Sequence, residues 1–568
     1  MTRLIAFLCT LFISSSPQLW GQCTSNCSGT NSFIGIGAGS DNSSGTSNTF
    51  VGRDAGEKNT IGSSNSYFGI GAGIFGTSGS SNSFFGRDAG RNNTASFNSF
   101  FGHDAGFNNT SGNSNSFFGR DAGKSNTTAP SNSFFGRAAG TTNSTGTRNS
   151  FFGDDAGNRN TTGSDNCFFG EDAGFFNTTG NNNAFFGQDA GEFNTTGGNN
   201  SFFGEGSGNK NTGGGSNSFF GKDAGMNNTS GHFNSFFGSF SGKSTTTGIS
   251  NSFFGDRAGN ANTTGQANSF FGQNTGLSNT TGDYNSFFGR ASGEKNTIGH
   301  RNSFFGHGAG FKNTDGDNNS FFGSSAGHDN TLGVKNSFFG SFSAFENTTG
   351  SNNSFFGERS GENNTTGSQN CFFGADSGLN NLISNFNSFY GTESGKQITG
   401  SNNVCIGAHS GPTSGNGAIS DKLFIDNTEN DDPLIYGEFD NDFVKINGTF
   451  EVTAGLSNPS SIDLKENLES VNKKDVLEKL MSLDIKKWNY KDRKNAPHIG
   501  AVAEDFYEAF ELGDSNKSIS TIDSDGVMML AIQALKDENE KLKSKLDNQE
   551  EQLEKQEKLL TEILKKLE

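Results

Sequence analysis

The chain has 568 residues and a formal net charge of −18, and it carries 82 glycines and 60 phenylalanines although only 30% of its residues are hydrophobic. This apolar content excludes a set of ordinary globular cores, while an aromatic content of 12% excludes simple disorder. The acidic balance argues against a nucleic-acid-binding protein, because phosphate recognition needs clustered lysine and arginine.

The N-terminus has the pattern of a cleaved secretory signal. Arg3 precedes an apolar run that is too short to span a bilayer. We predict a signal peptide over residues 1–21 and a linker over residues 22–30, and therefore a secreted or cell-surface protein without a transmembrane segment after cleavage. Export would allow a disulfide between Cys23 and Cys27, and lipid attachment to Cys23 is the alternative.

A unit close to N-S-F-F-G-x-D-A-G-x-x-N-T-T-G-x-x begins at Asn31, and its first five positions recur 23 times. The glycine that closes N-S-F-F-G recurs from Gly35 to Gly407 at 22 intervals, of which 20 are 17 residues and two are 16. A fixed short period is typical of a solenoid whose coils bury their apolar face only by stacking. Three glycines per coil and abundant asparagine and threonine disfavour helix. We predict a mostly β chain with a repetitive β-solenoid shaft over residues 31–411.

Each coil divides into one strand and two turns. S-F-F-G predicts a short strand, and G-x-x-A-G and N-T-T-G predict tight turns with glycine at positive φ. The asparagine that opens each copy, from Asn31 to Asn403, is expected to form a side-chain ladder along the shaft. Cys167 and Cys371 occupy one slot of the repeat and are interpreted as packing thiols.

The paired phenylalanines predict the quaternary structure. Neighbouring strand residues point to opposite faces, so one ring of each pair should face outward and form a long apolar stripe. Such a stripe is larger than the apolar patches that monomers expose, which predicts an obligate oligomer. The alternative is that both rings fit inside one wide coil.

The repeat resembles the left-handed β-roll head of trimeric autotransporter adhesins, on the N-S-F-F-G, A-G and N-T-T-G elements of residues 31–411. The resemblance implies a left-handed β-roll and a homotrimer. Those heads have smaller aliphatic residues and a shorter period.

Aspartate recurs two positions after the strand glycine, which suggests a calcium-binding array as an alternative. That slot carries Ala138 and Arg257 in other coils, and the G-G-x-G-x-D spacing of calcium-binding β-rolls is absent. We therefore predict no metal and no cofactor, and treat these residues as solvated turns.

Beyond Gly411 the repeat gives way to short apolar segments that predict a β-stem and linker over residues 412–459. Strands this short cannot form a core alone, so a stem built from three chains is expected. The predicted strands are 422–426, 433–437, 442–447 and 449–453.

From residue 460 the composition is that of a conventional domain. The motif S-x-x-x-L-K-E-N at Ser460 is followed by a W-x-Y strand at Trp488 and by H-I-G-x-x-A-E-D-F at His498. Residues 460–568, with these motifs in this order before a heptad tail, resemble the C-terminal intramolecular chaperone of phage endosialidase tailspikes and related fibres. We expect a small α+β domain over residues 460–534.

This resemblance implies that the domain helps three chains assemble and then cuts itself off. Ser460 would be the nucleophile, Lys465 the general base and Pro459–Ser460 the scissile bond, with His498 as a possible assisting group. Ser461 is the rival serine. From the residues alone, Ser460 is equally well explained as the N-cap of the following helix.

The tail from Leu535 has a mostly apolar seam at alternating spacings of four and three, interrupted by the polar residues Asn539, Gln549 and Gln556, which predicts a coiled coil over residues 535–568. The sequence thus favours an exported trimeric fibre or adhesin-like protein whose C-terminal domain chaperones assembly and cleaves itself once. The alternatives are a chaperone without cleavage, or a peptidase or glycan-processing enzyme that acts in trans. The ligand of the shaft is not indicated by any residue pattern.

Overall fold

The computed structural model describes residues 30–413, 418–453, 459–491 and 494–568. They belong to two compact units, one that ends at Thr449 and one that runs from Phe450 to Glu568. The predicted signal peptide and the pair Cys23 and Cys27 lie outside the described residues.

The first unit is a β-solenoid in which every copy of N-S-F-F-G contributes one three-residue strand. Each strand pairs in parallel with the strand of the next coil, and equivalent residues lie opposite each other, as Phe84 does with Phe100. The predicted β-solenoid is confirmed. The strands β1 to β23 are Ser32–Ile34, Thr49–Val51, Ser66–Phe68, Ser83–Phe85, Ser99–Phe101, Ser116–Phe118, Ser133–Phe135, Ser150–Phe152, Cys167–Phe169, Ala184–Phe186, Ser201–Phe203, Ser218–Phe220, Ser235–Phe237, Ser252–Phe254, Ser269–Phe271, Ser286–Phe288, Ser303–Phe305, Ser320–Phe322, Ser337–Phe339, Ser354–Phe356, Cys371–Phe373, Ser388–Tyr390 and Val404–Ile406.

The core of the solenoid is a single column of aromatic rings. The middle residue of β1 to β22 is aromatic, points inward and stacks on its equivalent one coil away, with ring centroids between 4.5 Å (Phe355 to Phe372) and 5.2 Å (Phe338 to Phe355); Cys405 takes this position in β23. The glycine of A-G lies against this ring, and a Cβ at Gly90 would come within 2.5 Å of the Phe84 ring. That slot therefore favours glycine, although one coil has Ala344 there with a φ of +50°.

The third residue of each strand faces outward, so the alternative that both rings enter the coil is wrong. The outward rings also stack on one another, with centroids 4.5 Å apart between Phe101 and Phe118. This stacking leaves them half-buried within one chain. Phe373 and Tyr390, near the C-terminal end of the column, are 37% and 42% exposed.

Two buried rows of asparagine accompany the rings, and the predicted row of opening asparagines runs along the solenoid. The opening asparagines bond chiefly to main chain: Asn149 Nδ2 donates to the Gly163 carbonyl at 2.8 Å, and its Oδ1 accepts from the Asn166 amide at 3.0 Å. Direct amide-to-amide bonds are the rule in the second row, the asparagines of N-T-T, where Asn160 Nδ2 donates to Asn143 Oδ1 at 2.7 Å; a few opening asparagines also make one, such as Asn82 Nδ2 to Asn65 Oδ1 at 3.1 Å.

The turn glycines have two different reasons to be glycine. The strand glycines and the A-G glycines have positive φ, for example +151° at Gly153 and +58° at Gly157. Gly163 of N-T-T-G has no positive φ, contrary to the prediction. A Cβ there would lie 2.4 Å from both Asn160 Oδ1 and the Gly180 carbonyl oxygen, so it would crowd the next coil, although Ala95 and Ala129 occupy the equivalent slot of two other coils.

The recurrent aspartate slot is explained by its backbone. The residue has φ between +53° at Asp223 and +60° at Asp121, a left-handed conformation in which aspartate and asparagine are enriched. His103, Asp104 and Asp121 place ligand-type atoms within 4.8 Å of one another. The Lys124 ammonium group lies 2.9 Å from both of these carboxylates and so already neutralises them.

The predicted stem strands extend the solenoid sheet. Strand β24 (Lys422–Ile425) pairs in parallel with β23, and β25 (Ile435–Glu438) and β26 (Phe443–Ile446) follow in antiparallel order. Phe424 of β24 is buried at the C-terminal end of the solenoid core, opposite Cys405 of β23. Strand β26 is exposed along its length in the single chain, so a stem built from three chains stays a prediction, and residues 449–453 form no strand.

The second unit is a small α+β fold. Its elements are a 3-10 helix at Ile462–Leu464, α1 at Lys473–Ser482, the antiparallel pair β27 (Lys486–Trp488) and β28 (His498–Gly500), α2 at Ala503–Phe510, and α3 at Thr521–Leu567. The side chains of Val476, Phe506 and Val527 form its core, so α1, α2 and the start of α3 pack together.

Helix α3 is 47 residues long and changes character along its length. Ala531 and Ala534 are buried against Leu477 of α1. Every described residue from Leu535 onward is exposed in the single chain, including the apolar residues of the heptad pattern, with Leu553 at 59%.

Candidate functional site

The site lies on a one-turn 3-10 helix at the start of the second unit. Ser461 is its N-cap, in extended conformation, and its Oγ accepts a hydrogen bond from the Asp463 amide at 3.3 Å. The helix ends at Lys465, whose amide donates to the Ile462 carbonyl at 3.2 Å. Ser461, and not Ser460, therefore has the capping role that the sequence left open.

Because Ser461 provides the cap, the Ser460 side chain is free to contact the end of the turn. Lys465 Nζ lies 2.7 Å from Ser460 Oγ and donates a hydrogen bond to it. The two residues are five positions apart in sequence, and the 3-10 turn brings their side chains together. This contact places an amine within proton-transfer distance of a hydroxyl next to the Pro459–Ser460 peptide bond.

Pro459, Ser460 and Lys465 are all exposed in the single chain. A lysine acts as a general base only when burial or nearby positive charge favours its neutral form. The geometry of a serine–lysine pair is therefore present, while the desolvation that would activate its amine is not supplied by these residues of one chain.

The surrounding segment exposes apolar side chains that are normally covered. Ile462, Leu464, Leu468 and Val471 are between 57% and 71% exposed. Four such residues within ten positions make an apolar surface beside the serine–lysine pair, and covering it would also desolvate Lys465.

His498 lies in a separate aromatic cluster on the β27–β28 hairpin. Its ring centroid is 4.9 Å from Trp488 and 5.6 Å from Tyr490. Among the described residues, no hydrogen bond joins His498 to Ser460 or Lys465. The proposed assisting role of His498 thus has no geometric support, and its ring packs on its hairpin neighbours.

A comparison with protein-family models finds a match in the second unit. Residues 460–512 match the family model described as chaperone of endosialidase. This C-terminal segment is a chaperone-of-endosialidase domain. The match begins at Ser460 and covers the 3-10 helix, α1, the hairpin and α2, and so includes every described element of the second unit except α3. The chain thus joins a β-solenoid of 23 coils to this chaperone domain.

Neither the curated proteins nor the solved structures include a match to the chain. Within the part of the chain that the structure describes, no helix combines the length and apolar character required to cross a membrane.

Proposed function

We propose that the protein is an exported, homotrimeric fibre whose C-terminal chaperone domain directs assembly and then releases itself by one cleavage at Pro459–Ser460. The observation that carries the cleavage is the 2.7 Å hydrogen bond between Lys465 Nζ and Ser460 Oγ. The adjacent family match, which starts at Ser460, supports the chaperone role.

The chemistry is an acyl shift followed by hydrolysis. Neutral Lys465 takes the proton of Ser460 Oγ, and the oxygen attacks the carbonyl carbon of Pro459. Collapse of the tetrahedral intermediate breaks the C–N bond, the Ser460 nitrogen leaves as a protonated amine, and an ester joins Pro459 to Ser460 Oγ. One water molecule hydrolyses this ester and restores the hydroxyl.

Assembly supplies what the single chain lacks. The apolar side chains of Ile462, Leu464 and Leu468 are exposed beside the pair, and so is the apolar row of α3 beyond Leu535. Three copies of α3 in a coiled coil would bring three chaperone domains together and cover both surfaces. Burial of Lys465 would then lower the cost of its neutral form, so that cleavage follows assembly.

The test is intact mass and N-terminal sequencing of the full chain beside Ser460→Ala, Lys465→Arg and Ser461→Ala. The parent should release a fragment of 109 residues (568 − 459) that begins at Ser460. Ser460→Ala and Lys465→Arg should abolish release, whereas Ser461→Ala should only weaken the turn and keep cleavage measurable. Lys465→Arg preserves positive charge but provides no accessible neutral base.

Light scattering on the same samples separates assembly from cleavage. Intact trimers of the parent chain would contradict cleavage and leave the chaperone-only alternative. Loss of release in Ser461→Ala with retention in Ser460→Ala would reassign the nucleophile to Ser461. Monomeric parent chain would contradict the trimeric fibre.

A further inference from the structure

We propose that copies of this chain meet side by side through the outward face of the solenoid strands, parallel and in register. This strand face consists of the first and third residues of β1 to β23. The parallel direction rests on the trimer proposed above, whereas the surface itself is argued from the solenoid.

The strand face carries no charge along its whole length. Its 46 positions (23 strands × 2) hold serine, threonine, cysteine, alanine, valine, isoleucine, phenylalanine and tyrosine only. The slot directly after the strand glycine, by contrast, carries charged residues such as Arg120, Asp154 and Glu171. An acidic chain that excludes charge from one continuous face has a surface suited to burial.

The apolar part of that face is long and unbroken. Twenty rings, from Phe68 in β3 to Tyr390 in β22, form one stack on it. A half-buried ring leaves on the order of tens of Å² uncovered, so the stack leaves on the order of several hundred Å² per chain. That scale approaches the ~800 Å² per partner of a standard protein interface.

A second copy is the partner that fits this face best. The outward rings recur once per coil. A second copy of this chain has rings at the same spacing and over the same length, so the two ring stacks match along the whole strand face. The exposed apolar row of α3 independently favours association with other copies of the same helix. Helices that associate in parallel would hold the solenoids in the same direction.

The charges beside the strand face permit an in-register approach. In a parallel arrangement, equivalent residues of neighbouring copies lie at one level, which would juxtapose like charges. Several of these flanking charges are already neutralised within their own chain. The pairs are Arg87–Asp88 at 3.2 Å, Arg120–Asp121 at 3.4 Å, Arg137–Asp154 at 2.8 Å and Lys222–Glu205 at 3.1 Å.

Two natural cysteines report on this arrangement. Cys167 and Cys371 take the serine slot of the strand face, in β9 and β21, and neither is fully buried. They are 12 coils apart, about 58 Å at ~4.8 Å per coil. In a parallel, in-register assembly each cysteine therefore approaches only its own equivalent in another copy.

The experiment treats the assembled full chain with a short bismaleimide and maps the linked peptides by mass spectrometry. Burial raises the pKa of the Cys167 thiol, so the reaction is run at mildly alkaline pH. We expect Cys167–Cys167 and Cys371–Cys371 links and no Cys167–Cys371 link. The matched control is Cys167→Ser with Thr162→Cys, which moves the thiol to an exposed turn of the preceding coil and should reduce linking at least fivefold.

A second set of variants tests the rings directly. Phe152→Glu, Phe169→Glu and Phe186→Glu together place charge on the strand face around Cys167 and should reduce Cys167 links at least fivefold. The control combines Phe97→Glu, Phe233→Glu and Phe386→Glu. These three residues each directly precede an opening asparagine, outside the strand face, and are 57% to 66% exposed, so the control should leave the links unchanged. Circular dichroism verifies that both chains keep their β structure.

Light scattering distinguishes the possible failures. A monomeric full chain would overturn this contact together with the proposed trimer. An assembled chain without Cys167 links, or with equal links from Thr162→Cys, would overturn only the strand-face contact. Cys167–Cys371 links would overturn the parallel register.

Discussion

Asn160 donates from Nδ2 to the Oδ1 of Asn143 one coil away, and its own Oδ1 accepts from Asn177 at the same 2.7 Å. From Asn109 to Asn211, each amide in this row is both donor and acceptor, and each is fully buried. This stretch thus satisfies polar groups along the interior while it joins each of its coils to both neighbours.

We expect Asn160→Asp to destabilise the solenoid. The change removes the two Nδ2 donor bonds, to Asn143 and to the Gly163 carbonyl at 2.9 Å, and leaves a carboxylate between acceptors. An unsatisfied buried polar group costs about 1–3 kcal/mol, and a charged one costs more. The control is Asn181→Asp, an exposed side chain that keeps its acceptor bond to the Ser164 amide. Equal melting temperatures for the two variants would contradict the ladder.

Alanine at Gly163, the glycine of N-T-T-G, should destabilise the solenoid more than alanine at a neighbouring glycine, although Ala95 and Ala129 occupy the equivalent slot in two other coils. Gly163→Ala would place Cβ 2.4 Å from main chain of the next coil and is expected to cost about 1–3 kcal/mol or more. Gly213→Ala meets only a threonine hydroxyl at 3.5 Å and has no positive φ, so it should be neutral or stabilise by up to about 1 kcal/mol. Urea unfolding of both variants measures the difference; equal losses would show that next-coil spacing is not the cause.

Asp172 should make the solenoid less stable as the pH rises. Burial, followed by repulsion from Asp155 and Asp189, raises the pKa of Asp172 to about 6. An acid whose pKa is higher in the folded state contributes stability below its unfolded pKa of about 4 and loses it as the pH rises to about 6. Asp172→Asn should therefore melt at a higher temperature than the parent at pH 7, and the gain should shrink below pH 4.

Asp165 provides the opposite case in the preceding turn. Its hydrogen bonds with Arg148 hold the pKa of this carboxyl below its usual range, so its contribution is present at neutral pH and is lost on acidification. Asp165→Asn should not stabilise the chain at pH 7. A higher melting temperature for both variants at pH 7 would indicate a general charge effect in place of the local one.

The exposed apolar row of α3 should be required for assembly. Leu546→Glu places charge in the heptad pattern and is expected to reduce association of the full chain at least tenfold, because it would bury a charge between helices. Lys545→Glu, on the adjacent helix position, is the control and should leave association nearly unchanged. Sedimentation across a concentration series measures both; unchanged association in Leu546→Glu would contradict the coiled coil.

The strands were predictable because the side-chain alternation of S-F-F and the fixed period both indicate one short strand per coil, with one ring facing inward and one outward. The bonding of the asparagines was not predictable from the sequence. The positions of Asn149 and Asn160 recur equally regularly, and only the path of the backbone decides which of the two side chains contacts its equivalent in the next coil. The role of Gly163 was missed for a similar reason: its constraint comes from Gly180 of the next coil. The Ser460–Lys465 pair came from a resemblance, because spacing alone does not distinguish it from a cap.

Near-identical coils have one further consequence for how this chain folds. If a coil paired with the wrong neighbour, one full repeat away, phenylalanine would still stack on phenylalanine and asparagine on asparagine. The energy difference between correct and slipped pairings therefore resides in the exceptional coils, such as those with Thr245 or Ile398 in the asparagine row, and in the terminal strand that buries Phe424. A chain whose coils can pair in several registers of nearly equal energy needs one end that fixes the correct register. The irregular C-terminal end of the solenoid provides that end.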